Sequence, residues 1–393
     1  MKISPLEQQV KTIIHTVQRS GDSALKAYTK RFDGITISSF KVPKAEILQA
    51  VRSLEKGLRA ALDQAARNIQ NFHQQELSHL PCSWTFTQKG SVTGQMYAPI
   101  ATVGIYVPGG RFSYPSTVLM TAIPARVAGV EKVIMATPPK QLTPAVLYAA
   151  YISGVDEIYR VGGPAAIAAL AFGTESIPKT DFIVGPGNAY VNEAKRQLLG
   201  VVGIDALAGP SEVAIIADAK APANYIIADL LAQAEHDPRA MTYLFSDSKT
   251  LLSAIGRMLP RELRTQVTLK ACKIEQAINA VNKIAPEHLE LMVENPATII
   301  GKIKNAGAVF IGYATPTAVG DYWAGPSHVL PTGSTARFSS GLSAATFFKR
   351  TSYIQYTLPM LKKQAPSIEK LAAAEGLRHH QDSIAQRSRT KPA

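Results

Sequence analysis

Cysteine is scarce: Cys82 and Cys272 are the only two in 393 residues. Two thiols exclude a disulfide framework and fit a reducing compartment. Neither sits in a motif that would support a catalytic thiol, so both read as small hydrophobes. Long apolar runs are missing as well. No stretch reaches the roughly 18–20 uninterrupted apolar residues of a membrane span. Met1-Lys2-Ile3-Ser4-Pro5-Leu6-Glu7 lacks the apolar core of a signal peptide, so a cytoplasmic protein with no membrane partner is expected. Neither GxGxxG nor a P-loop occurs, which removes the standard nucleotide fingerprints. Zinc-finger spacing, an RNP-like aromatic strand and a basic helix with readout residues are absent too. The net charge of +13 therefore reads as a generally basic surface, since Lys and Arg are widely spread. Their densest run is the tail Arg387-Ser388-Arg389-Thr390-Lys391, and no nucleic-acid partner is expected.

What remains is an ordinary globular composition, 46% hydrophobic and 18% charged, with length enough for two or three domains. The first 75 or so residues read as helices, Leu6 to Arg19, Asp22 to Arg31 and Lys44 to His73, punctuated by Gly21-Asp22 and Asp33-Gly34. From about residue 100 the period changes. Short apolar runs (101–107, 132–136, 157–161, 181–184) alternate with helical stretches (116–127, 144–153, 165–172, 189–199). The alternation restarts with strands at 212–217, 241–246 and 308–311 and helices at 222–235 and 249–258. This spacing predicts an α/β protein with two open, mainly parallel, Rossmann-like sheets. Helical segments are expected at both chain ends, the second from about Phe347 onward.

Chemistry concentrates in a few polar islands. Gln233 and His236 are three apart on a helix, so both side chains leave one face. An amide oxygen and an imidazole so placed can begin a divalent-metal site, which Asp321 and another His could complete. Pro286-Glu287-His288 puts a carboxylate beside an imidazole, read here as the continuation of a helix, and this pair suits proton transfer near neutral pH. Asp321 and His328 fall in a loop constrained by Gly320, Gly325 and Pro326. Ligands in open α/β sheets bind beyond the carboxyl ends of strands. Glycine-rich turns at Pro108-Gly109-Gly110, Gly162-Gly163, Gly185-Pro186-Gly187-Asn188 and Gly209-Pro210-Ser211 are candidates for such places. Near the end, Gly376 followed by His379 and His380 also reads as a helix C-cap.

Taken together these segments resemble the histidinol dehydrogenase family from about Val10 to His380. The resemblance rests on Tyr106-Val-Pro-Gly-Gly, Gly185-Pro-Gly-Asn188, Ala208-Gly-Pro-Ser-Glu212, Gln233-Ala-Glu-His236-Asp, Ala285-Pro-Glu-His288-Leu, Gly320-Asp321 through His328-Val-Leu-Pro, Thr335-Ala-Arg-Phe-Ser-Ser340 and Lys349-Arg-Thr. It implies a homodimer with shared active sites that oxidises L-histidinol to L-histidine through the aldehyde, with NAD and a zinc ion. It further implies zinc ligands at Gln233, His236, Asp321 and His380, the last from the partner subunit, and proton transfer by Glu287 and His288. Substrate contacts would come from Ser211, Gln233, His236, His288, Asp321, His328, Glu375 and His380, and NAD contacts from Tyr106 and Asn188. The domains implied are 1–105 with 211–342, carrying the metal and catalytic residues; 106–210, the NAD side; and 343–393, a helical dimerisation segment.

The chain departs from the family's pattern in three ways. Gly162-Gly163-Pro164-Ala165-Ala166 stands where the family reads Gly-Gly-Ala-Gln-Ala, so Ala165 replaces an NAD-contacting glutamine. The N-terminal arm is shorter, and His379 stands where a small residue is usual. Two further readings are a dehydrogenase of another alcohol on the same scaffold, such as a sulfonated propanediol, and a non-catalytic homologue without NAD binding.

Overall fold

Strand–helix alternation in this chain produces two separate parallel sheets, each built by the same winding. The computed structural model describes residues 4–109, 113–236 and 238–389, with His236 by its backbone alone. The chain divides into two units, Met1–Ser78 with Ile100–Phe347, and His79–Pro99 with Phe348–Ala393.

In the first unit, α1 (Pro5–Asp33) starts on the Ser4 side chain, which accepts from Glu7 N, and stops at Gly34 in the left-handed region. Gly21, at φ 46 and ψ −130, kinks it where two separate helices were expected. The stretch read as one helix from Lys44 is two, α2 (Lys44–Ser53) and α3 (Lys56–His79). The Glu55 carboxylate accepts from Gly57 N (2.7 Å) and Leu58 N (2.6 Å), restarting the helix by satisfying its free N–H groups.

Next come β1 (Trp84–Gln88) and β2 (Ser91–Pro99), which belong to the second unit. The first sheet is built from β3 (Thr102–Tyr106), α4 (Pro115–Val127), β4 (Lys132–Thr137), α5 (Pro144–Ile152), β5 (Glu157–Arg160), α6 (Gly163–Phe172), β6 (Phe182–Val184), α7 (Ala189–Leu198) and β7 (Gly203–Ile204). Its order is β5-β4-β3-β6-β7 with every pair parallel, the doubly wound arrangement whose strand order reverses beside β3.

The second sheet repeats that order from β8 (Glu212–Ala217), α8 (Ala223–His236), β9 (Met241–Ser246), α9 (Lys249–Met258), β10 (Val267–Ala271), α10 (Ile274–Ile284), β11 (His288–Met292), α11 (Ala297–Ile300), β12 (Ala308–Ile311) and α12 (Thr317–Tyr322). It runs β10-β9-β8-β11-β12, again all parallel. The central strands of both sheets are buried on both faces, as parallel sheets covered by helices require. The fold class expected from the alternation is the one observed.

The second unit holds a three-stranded antiparallel sheet, β1-β2-β13, with β13 (Phe348–Tyr356), α13 (Leu358–Ala374) and α14 (Arg378–Arg389). The segment after Phe347 is therefore a nine-residue strand before it is helical. It pairs with β2 from Phe348↔Pro99 to Tyr356↔Ser91. Among the described residues no helix is long and apolar enough to cross a membrane.

Candidate active site

Helix α10 ends at Ala285, which takes the left-handed conformation (φ 50, ψ 60) as its C-cap. A residue with a Cβ adopts that conformation at a cost of about 1–2 kcal/mol. Pro286 follows, so Glu287 and His288 are not on a helix: His288 is the first residue of β11. The helical placement expected for this pair is corrected by that turn. Gly307 N donates to Pro286 O and Ala308 N to Glu287 O, both at 2.9 Å. A Cβ on Gly307 would stand 2.5 Å from Glu287 O, so only glycine lets β12 approach the entry to β11 this closely.

His288 and Glu287 are both buried. His288 Nδ1 donates to Glu212 O (3.3 Å) and lies 3.6 Å from Glu287 Oε2. Among the described residues its Nε2 has no hydrogen-bond partner, and it faces Asp321 Oδ1 at 3.8 Å. The ring packs against Phe310, centroids 5.8 Å apart. Burial disfavours the imidazolium, but the carboxylates of Glu287 and Asp321 outweigh it and raise the pKa to about 9. Glu287 accepts from Glu212 N at 3.1 Å and from the Ser211 hydroxyl. Burial raises its pKa, against the opposing effect of His288. A desolvated carboxyl touching an imidazole is suited to passing protons near neutral pH.

Asp321 lies in the short α12, not in a loop. His328 Nδ1 donates to Asp321 O at 3.0 Å and its Nε2 accepts from Thr117 Oγ1 at 3.3 Å. Ser211, Glu287, His288, Asp321 and His328 thus form one connected set. Gln233 is buried near the end of α8, while the His236 side chain lies outside the described residues. A cavity of about 510 Å³ opens where α8 and α12 end, walled by Tyr114, Glu235, Tyr322 and Trp323. Glu375, the C-cap of α13, and His380, on α14, are exposed residues of the second unit.

Sequence reasoning missed several contributors. Glu212 touches both catalytic candidates, Phe310 backs the imidazole and Thr117 orients His328. Glu212 was within a quoted segment, and its position as the first residue of a strand was the available signal.

Among the described residues no three His, Cys, Asp or Glu side chains gather as a metal-holding group. The donor types present nevertheless fit a divalent ion of borderline hardness. Gln233 offers an amide oxygen and Asp321 a carboxylate, and the buried His288 Nε2 beside Asp321 is unsatisfied.

The first sheet offers a different surface. A cavity of about 760 Å³ is lined by Tyr106, Gly109, Pro138, Gly162, Gly163, Ala165 and Asn188, with Arg31 and Lys140 on its wall. That volume is in the range of small-molecule and cofactor sites. Tyr106 is buried, its hydroxyl accepts from Gly163 N (3.0 Å), and burial pushes its pKa up to about 12. Asn188 caps α7 by accepting from Tyr190 N and Val191 N. Gly185, at φ 113, leaves no room for a Cβ, which would stand 2.1 Å from Tyr106 O. The turn is held from below by Lys195, whose Nζ donates to Gly185 O and Asp205 Oδ1, both at 2.6 Å. Asp205 Oδ2 in turn accepts from Gly185 N at 2.7 Å. Gly109, Gly162 and Gly163 line the cavity without side chains, room of the kind a dinucleotide needs.

A sequence profile described as histidinol dehydrogenase matches residues 1–388. The chain belongs to the histidinol dehydrogenase family. The histidinol dehydrogenase of a Synechococcus species is 48% identical over 398 residues, covering 96% of this chain and 91% of its own. That of Bacillus cereus is 44% identical, with 96% and 92% covered. The crystal structure of histidinol dehydrogenase from Elizabethkingia anophelis superposes with a TM-score of 0.90 at 37% identity, over 98% of this chain and 93% of that one. As a histidinol dehydrogenase family member the chain is an oxidoreductase.

Proposed function

We propose that this chain oxidises L-histidinol to L-histidine through the aldehyde, the last step of histidine biosynthesis, as a cytoplasmic homodimer using NAD and zinc. The observation that carries the reading is His288, buried between Glu287 and Asp321, with no hydrogen-bond partner for Nε2 among the described residues. Gln233, His236, Asp321 and His380 would hold the zinc. A divalent cation there supplies positive charge that polarises the substrate's hydroxyl and offsets the Asp321 carboxylate beside His288. Tyr106 and Asn188 would hold NAD, which would supply the hydride acceptor for both oxidations.

The neutral ring of His288 takes the alcohol proton at Nε2 as the carbon loses hydride. Its Nδ1–H stays on Glu212 O, which fixes the ring's plane and tautomer. Glu287 then takes a proton from the water that adds to the aldehyde, and the hydrated aldehyde loses the second hydride. Burial raises its pKa, which makes its carboxylate a stronger base for that proton. Ser211, Gln233, His236, His328 and Glu375 would complete the substrate contacts.

The second unit supports a shared site. His380, the ligand that the resemblance assigns to the partner subunit's site, is exposed on α14, as is His379. Trp84, Phe86 and Ile354 share one face of the β1-β2-β13 sheet and are exposed, an apolar surface suited to self-association. The domain assignment follows: 106–210 for NAD, 1–105 with 211–342 for chemistry, 343–393 for dimerisation. Zinc-loaded protein given L-histidinol and NAD should yield two NADH per histidinol and none from a sulfonated propanediol. NADH from the diol alone would overturn the substrate, and none from either would overturn the activity.

A further inference from the structure

Beneath the site lies a second buried polar layer that the mechanism does not use. Glu290 follows His288 by two residues on β11, so the two side chains leave the same face of the strand. Glu290 is 1% exposed, and its Oε1 accepts from Thr317 N at 3.2 Å. Its Oε2 has no backbone or hydroxyl donor. The neighbouring group is the carboxyl of Asp229, itself 8% exposed on α8. Two neighbouring carboxyls in a dry interior disfavour each other's ionised form. Burial and the adjacent carboxylate accordingly hold Glu290 above the ordinary carboxylate range.

The spacing around this pair repeats that of the site. Gln233 follows Asp229 by four residues on α8, and Asp321 follows Thr317 by four on α12. Four residues are one helical turn, which brings side chains to the same face. His288 precedes Glu290 by two. Helix α8 runs back along the parallel strands, so its later residues accompany the earlier residues of β11. The 3.8 Å approach of Asp321 to His288 stands one turn above the Thr317–Glu290 bond. Each of the three site-bearing elements therefore has one member in the lower layer: Asp229, Glu290 and Thr317.

We propose that Asp229 and Glu290 are positioning residues for the oxidation, fixing how α8, β11 and α12 slide against one another. That register sets the separation of Gln233, His288 and Asp321. The inference rests on the site reading given above. It gives the pair no part in proton transfer: what matters is the hydrogen bonds, not a charge.

Two variants test it. Glu290→Gln keeps an N–H for Asp229 and an oxygen for Thr317, and should retain kcat within about threefold. Asp229→Leu/Glu290→Met replaces the pair with apolar side chains of similar size, a change that leaves folding stability equal or higher in comparable buried sites. It should keep its thermal transition yet lose about 10–100-fold in kcat, with zinc surrendered to a chelator at correspondingly lower concentration. The KM for NAD should not move. Wild-type kcat and zinc retention in the double variant would reduce the pair to packing and overturn the proposal. A loss in Glu290→Gln as large as in the double variant would overturn it too, since it would assign the role to the ionisable group. Should the double variant lose its transition, Glu290→Met alone takes its place with the same expectation. The wild-type protein separates the two readings: failure to oxidise histidinol sinks the activity, while the chelator competition still reports on the pair.

Discussion

The two parallel sheets have the same strand order but use opposite edges. In the first sheet the ligand-facing groups follow their strands. Tyr106 ends β3, Gly162-Gly163 follows β5 and Gly185 to Asn188 follows β6. This is the carboxyl edge, where open α/β sheets commonly bind ligands. In the second sheet the reactive groups precede their strands. Ser211 comes just before β8, Glu287 just before β11, and Gln233 returns to that edge at the end of α8. Buried charge divides the same way. The buried ion pair of the first sheet, Lys195 with Asp205, shapes a turn. The buried groups of the second, Glu287, His288, Asp229 and Glu290, are the candidate proton-transfer pair and the carboxyls proposed to position it. One winding can thus place a glycine-lined cavity at one edge and buried titratable side chains at the other.

His288→Asn should break the chemical edge alone. Turnover is expected to fall by about 10²–10⁴-fold, the usual range for loss of a general base, with zinc content unchanged. Metal loss in that variant, measured by elemental analysis, would contradict the assigned role. Lys195→Met addresses the other edge. Leaving Asp205 buried without its partner should cost about 3–5 kcal/mol, read by urea denaturation, and should raise the KM for NAD more than it lowers kcat. A variant as stable as wild type would show that the pair does not hold the Gly185 turn.

The smallest effect is expected from Ala165→Gln. Ala165 is buried in the wall of the larger cavity. Restoring the family's amide should lower the KM for NAD by up to about tenfold, the worth of one hydrogen bond, at unchanged kcat. An unchanged KM would show that this cavity has already compensated for the alanine.

Much of this architecture was legible in the sequence, because buried parallel strands appear as short apolar runs between helical periods. Each strand of both sheets except β7, β10 and β11 was marked by such a run. The largest misreading, Glu287 and His288 on a helix, had an available remedy. Ala285 precedes Pro286, and a residue before proline is pushed out of the α region. The hairpin of β1 and β2 was also written in the chain. Trp84-Thr-Phe-Thr-Gln alternates with period two up to Gly90, which turns at φ 79. The residues of β1 are exposed throughout, so no buried face of that strand drew attention to it. The Asp229–Glu290 pair could not be seen from spacing at all. Asp229 belongs to α8 and Glu290 to β11, and only the packing of one on the other brings two carboxyls together.

The central claim is that chemistry and cofactor binding occupy different edges of different sheets. Calorimetric titration of NAD into zinc-loaded His288→Asn protein tests it most directly. The account predicts a dissociation constant within about twofold of wild type despite the loss of turnover. A constant weakened tenfold or more, in a protein whose thermal transition is intact, would contradict it.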